Sequence, residues 1–141
     1  MKITQSYGIK FKGGYKAVKR TIVIFNDAVN YLITPVQDHY DAIAVLDTSL
    51  KKMNYVEKLV HHTKGNKAVY DFDNKFYKFP SYLRRSAITK AVGIVSSYMS
   101  QIENWKASNC KGAMPKLDKG NHLMPCFYKD NMFDHQNDKT Y

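Results

Sequence analysis

From Tyr15 onward, apolar residues return with helical spacing and leave little room for any fold but a helical one. Val18, Ile22, Phe25, Val29, Leu32 and Val36 follow one another at intervals of four, three, four, three and four. That period places them on one face of a helix over about 15–37. Within it, Thr34-Pro35-Val36-Gln37 admits two readings. Thr34 caps a new helix, with Pro35 in its first position and Gln37 closing a capping box, or one long helix is kinked at Pro35. A stripe that runs straight through favours the kink.

Two further helices follow. Leu46, Leu50, Met53, Val56 and Val60 mark one over about 48–62, stopped by Lys64-Gly65-Asn66. Leu83, Ala87, Ala91, Val95, Tyr98, Ile102 and Trp105 mark the inner face of another over about 81–106. Gly93 lies inside it, and either weakens it or permits close packing.

The ends read differently. Residues 2–12 alternate, with Ile3, Tyr7, Ile9 and Phe11 on one face, as in a half-buried strand ended by Gly13-Gly14. Beyond Asn109, glycines and prolines break the chain. His122–Tyr128 reads as a strand, placed at a sheet edge by Pro125. Residues 134–141 are polar and read as a mobile tail. One strand at each end of a helical block cannot make a stable sheet, which needs about three. The expectation is therefore an α+β, mainly α fold with an incomplete sheet.

Charge narrows the class of partner. The chain has 141 residues, with 22 Lys and Arg against 12 Asp and Glu, for a net charge of +10. The excess is uneven. Residues 1–20 carry six bases and no acid, 21–50 carry four aspartates and no base, and 51–67 carry five lysines against Glu57. A basic face assembled from separated segments suggests a polyanion, of which nucleic acid is the commonest. No apolar run approaches the roughly 18 residues of a membrane span, and no cleavable signal follows Met1, so neither a membrane nor export is expected. Two cysteines, Cys110 and Cys126, make no disulfide framework, which points to a reducing cytoplasm.

Catalytic and metal patterns are weak. Asp71-Phe72-Asp73 and the pair Asp38, Asp41 are carboxylates without a third partner, and Asp-x-Asp in a turn is usually local hydrogen bonding. Cys110, His122, Cys126 and His135 lack the tight ligand pair of structural zinc sites. The His61-His62 pair suits a helix C-terminus, where the dipole favours positive charge. No catalytic residue, metal or other cofactor is assigned.

The informative stretch is YDFDNKFYKFPSYLRR, residues 70–85. Six of the thirteen residues from Tyr70 to Tyr82 are aromatic, with Lys75, Lys78, Arg84 and Arg85 among and after them. Aromatic faces stack on bases, and Lys and Arg neutralise phosphates. A plug of Phe72, Phe76 and Phe79 packing the helices together is the competing use of the same residues. Lys78, Tyr82, Arg84 and Arg85 are the candidate contacts, with Lys10, Lys12 and Arg20 added to the same basic face.

These segments carry a resemblance. ITQSYGIKFK, MNYVEKLVHHTKGN, the run from YDFDNKFYKFPSYLRR to SSYMSQIENW, and MPKLDKGNHLMPCFYKDNMF resemble the N-terminal part of the OrfB-type, transposon-associated TnpB family over most of residues 1–133. The resemblance implies that 1–14 and 108–133 form part of a wedge-like β-barrel, with 15–107 a helical recognition-type insertion. It also implies that guide RNA or an RNA–DNA hybrid is bound. The RuvC-like nuclease of that family would lie beyond this stretch, so the expected role is binding without catalysis. A decoy module that occupies a full-length relative is the alternative, and a decayed reading frame a third.

Overall fold

The computed structural model describes residues 13–120 and 122–126, and the backbone of residues 135–136 and 139–140. The strand expected over 2–12 lies outside them, as do Lys10 and Lys12. Gly14, with φ 72°, opens helix α1, which runs Tyr15–Asp38. Then come α2, Tyr40–Ala44, α3, Ser49–Val60, the single turn α4, Phe72–Lys75, and α5, Ser81–Ala107. Thr48 caps α3, its hydroxyl accepting the Lys51 amide at 3.2 Å, which satisfies one of the free donors at the helix start.

Helix α1 continues through Pro35, and Thr34 starts no new helix. Proline inside a helix costs about 3 kcal/mol. Burial of Pro35 and Val36 in the core offsets it. Helix α1 lies along α5, and α3 packs on both. The core between them is Phe25, Val29, Leu32 and Val36 from α1, Val56 and Val60 from α3, and Ala87, Ala91 and Val95 from α5, all without solvent exposure. Each fully buried Val, Leu or Phe contributes roughly 1.5–3 kcal/mol. Of the face expected for α5, Tyr98 and Trp105 are only half-buried.

The expected wedge-like barrel, and with it the α+β class, is overturned: the described residues form a helical domain. Their one ladder is the two-residue antiparallel pair His135–Gln136 with Lys139–Thr140. The strand expected from His122 is not one over 122–126. Instead that segment is a strap laid on the helices. Asn26, buried in α1, donates from Nδ2 to the Leu123 carbonyl at 2.9 Å, and its Oδ1 accepts the Leu123 amide at 2.9 Å. One side-chain amide thus supplies both bonds that a neighbouring strand would have made. Ser86 Oγ accepts the Cys126 amide at 3.2 Å, Asn30 donates to the Gly120 carbonyl at 3.2 Å, and Pro125 is buried. The extended segment needs no sheet because helix side chains satisfy it.

Candidate nucleic-acid interface

The end of α3 and the segment after it form two turns tied to each other. Thr63 and Asn66 exchange backbone hydrogen bonds at 2.9 and 3.2 Å. The Asn66 side chain donates to the carbonyls of Lys58 at 2.7 Å and His61 at 2.9 Å, capping the helix end. Asp73, in α4, accepts from His61 Nδ1 at 2.9 Å and from the His62 amide at 2.8 Å. That carboxylate holds the turn carrying Lys64 and Lys67 to the turn carrying Lys75 and Lys78. Asp71 accepts from Asn74 Nδ2 at 2.7 Å. The Asp-Phe-Asp run is therefore local scaffolding. Among the described residues no three His, Cys, Asp or Glu side chains converge as metal ligands.

The aromatic cluster divides by role. Phe72 is fully buried, with Phe76 and Phe79 packed on the core around it at ring separations of 4.8 and 5.6 Å. Tyr31 joins them, 5.9 Å from Phe72 and 5.8 Å from Phe76. Burial, and after it the charge of Asp71, pushes the Tyr31 phenol up. Tyr70 donates its hydroxyl to Asp38 at 2.8 Å. Burial first, then that bond, raises its phenol to about 12. Tyr77 is different, at 78% exposed. It stands in a turn closed by the Phe79 amide on the Phe76 carbonyl at 3.1 Å, in which Lys78 has φ 56°. That left-handed conformation costs a non-glycine residue roughly 1–2 kcal/mol, and the anchored Phe76 and Phe79 hold it. Lys78 Nζ lies 5.3 Å from the Tyr77 ring centre, and Lys75 Nζ 4.9 Å from that of Tyr31.

The arginines of the same stretch are placed elsewhere. Arg84 is buried, and its Nη2 and Nε donate to Glu57 Oε1 at 3.1 and 3.3 Å. Arg85 donates from Nε to Glu57 Oε2 at 3.2 Å, with about half its side chain exposed. Glu57 on α3 thereby ties down the first turns of α5. Tyr82 is half-buried beside Arg85, at a small cleft it shares with Leu50 and Met53. Arg20 is exposed near the start of α1. Lys78 is thus exposed on the turn that holds Lys75 and Tyr77, with Lys64 and Lys67 exposed on the adjoining turn, while Arg84 is buried in its ion pair with Glu57. Lys64 and Lys67 were visible only as excess charge over 51–67 and Lys75 only as a cation within 70–85, since nothing in the sequence shows that Asp73 joins the two turns.

The sequence model of the Aq_aa04 family matches residues 4–141. No curated protein and no solved structure matches the chain. A match over nearly the whole length places the chain in that family: it belongs to the Aq_aa04 family.

Proposed function

We propose that this Aq_aa04 family domain binds nucleic acid through a lysine-built surface centred on the two turns joined by Asp73, and that it performs no catalysis itself. The observation that carries this is the disposition of charge. Among the described residues, Glu57 is taken by Arg84 and Arg85, Asp73 by His61 and Asp47 by Lys51, and Lys51 is the one lysine in an ion pair. The other described lysines have no carboxylate partner, in a chain of net charge +10. Such a surface repels itself and is favourable where a polyanion supplies the countercharge. Exposed Tyr77 beside Lys78 adds a ring face next to a cation, the pairing that holds a base and its phosphate. The TnpB resemblance narrows the polyanion to guide RNA or an RNA–DNA hybrid, read by backbone geometry.

Titration of a labelled RNA hairpin and of an RNA–DNA hybrid at several salt concentrations tests the reading. Affinity should fall linearly in log–log form, by about 0.7–0.9 in slope for each phosphate neutralised. Replacing Lys64, Lys67, Lys75 and Lys78 by alanine should flatten that slope. Tyr77→Ala should weaken binding by about 1–3 kcal/mol if a base stacks there, with an unchanged melting temperature. A slope near zero, or one that the four lysines do not alter, would defeat the proposal.

A further inference from the structure

A second feature of the fold deepens that reading and rests on it. Between α5 and the strap runs an open groove of about 750 Å³, within the roughly 300–1,000 Å³ of ligand clefts. Its α5 wall extends from Ser86 to Gln101, a distance of about 22 Å at helical rise. Ile94, Tyr98 and Leu123 give it an apolar floor, and Lys90 and Lys116 stand on opposite walls.

Gly93 lines the same groove. Glycine is the poorest helix former after proline, so an interior glycine calls for a packing partner that needs the space. Here there is none within the described residues: a β-carbon at position 93 would meet no atom within 4 Å, and the residue is exposed. Among the described residues, then, no helix packs closely on Gly93. Besides weakening the helix, Gly93 leaves a bare stretch of helix backbone in the groove lining, the setting in which glycine lets a ligand approach closely.

From this we infer that the α5–strap groove holds an unpaired stretch of nucleic acid, with sugar and base edges passing over Gly93 and phosphates at Lys90 and Lys116. The apolar floor decides between single and double strand. A duplex presents its phosphates outward and has nothing to offer Ile94, Tyr98 and Leu123, whereas an unpaired strand exposes base faces that bury against them. Asp118, also in the lining, repels phosphate and accepts hydrogen bonds. It marks a position for a base amino group or a ribose hydroxyl.

The test compares a short fluorescein-labelled oligouridylate with a blunt RNA duplex by anisotropy, on the wild type and two variants. Gly93→Met places its β-carbon in open space, extends a flexible side chain into the groove and is a better helix former, so the melting temperature should stay or rise. Its affinity for the oligouridylate should fall roughly tenfold or more, and its affinity for the duplex should persist. Lys90→Ala with Lys116→Ala should lower the oligouridylate salt slope by about 1.4. Oligouridylate binding unchanged in both variants would overturn the groove assignment while leaving the lysine surface intact. Equal losses for duplex and single strand would overturn the unpaired-strand assignment. A wild type that binds neither probe would instead defeat the nucleic-acid reading on which the inference rests.

Discussion

Removing Glu57 should damage this domain more than removing either arginine it holds. The Arg84 side chain is 7% exposed and that of Glu57 14%, and a guanidinium cannot shed its proton. Glu57→Ala leaves that cation buried without a counter-ion, a loss of about 3–5 kcal/mol, or roughly 10–20 °C in melting temperature for a domain of this size. Arg84→Met keeps most of the packing volume and leaves Glu57 bonded to Arg85, so its cost should be about 1–3 kcal/mol. Arg85→Ala removes a group that is 46% exposed, worth about 0.2–1 kcal/mol. Urea unfolding followed by helical circular dichroism gives all three, with a constant slope as the check on two-state behaviour. The double variant Glu57→Leu with Arg84→Met should be more stable than Glu57→Leu alone, because no desolvated charge is left behind. Strictly additive losses, or a Glu57→Ala cost below that of Arg85→Ala, would show the pair to be solvent-screened. Arg84 would then return as a group available to a ligand.

Asn26→Ala should cost about 1–3 kcal/mol through its two bonds to Leu123, and should raise hydrogen exchange at the Leu123 amide while the helices persist; protection retained at Leu123 would show that the strap is held otherwise. Tyr70 keeps its proton more tightly folded than unfolded, so its contribution is complete below pH 10.0 and is lost as pH rises through about 12. Tyrosinate absorbance should accordingly show that Tyr70→Phe deletes a late-titrating phenol, and loss of one titrating near 10 would contradict the Asp38 contact.

The three long helices were legible because their apolar residues keep one period over many turns, which outweighs Pro35 inside α1 and Gly93 inside α5. The three polar residues that organise the packing were also in the sequence, inside the stripes. Asn26 lies four after Ile22 and three before Val29, Glu57 four after Met53 and three before Val60, and Arg84 beside Leu83 and four before Ile88. A charged or amide group at such a position is either a register error or a buried group with a partner. Which partner depends on how α3 meets α5, and periodicity carries no information about that. The strap escapes a sequence reading for a related reason. The residues around Pro125 suit a strand at a sheet edge, but do not say whether their hydrogen bonds go to another strand or to the side chain of Asn26.

The placement of the arginines bears on what kind of recognition the domain can perform. Of the three in the chain, Arg84 and Arg85 are engaged by Glu57, and Arg20 alone stands apart from that network on α1. Sequence readout in a groove relies heavily on the bidentate guanidinium fork, which matches two acceptors on one base edge. A lysine ammonium is a mobile point charge that satisfies a phosphate equally well beside any base. With Arg84 and Arg85 committed to Glu57 and the lysines left at the surface, the proposed binding would hold a nucleic-acid backbone and have few means to select a sequence. The two proposed sites divide recognition between them. Under that proposal the turns at Lys64–Lys78 would bind phosphate charge, and the groove over Gly93 would distinguish paired from unpaired strands by shape. Specificity of this kind is for conformation, and base composition enters only through how readily a strand stays unpaired.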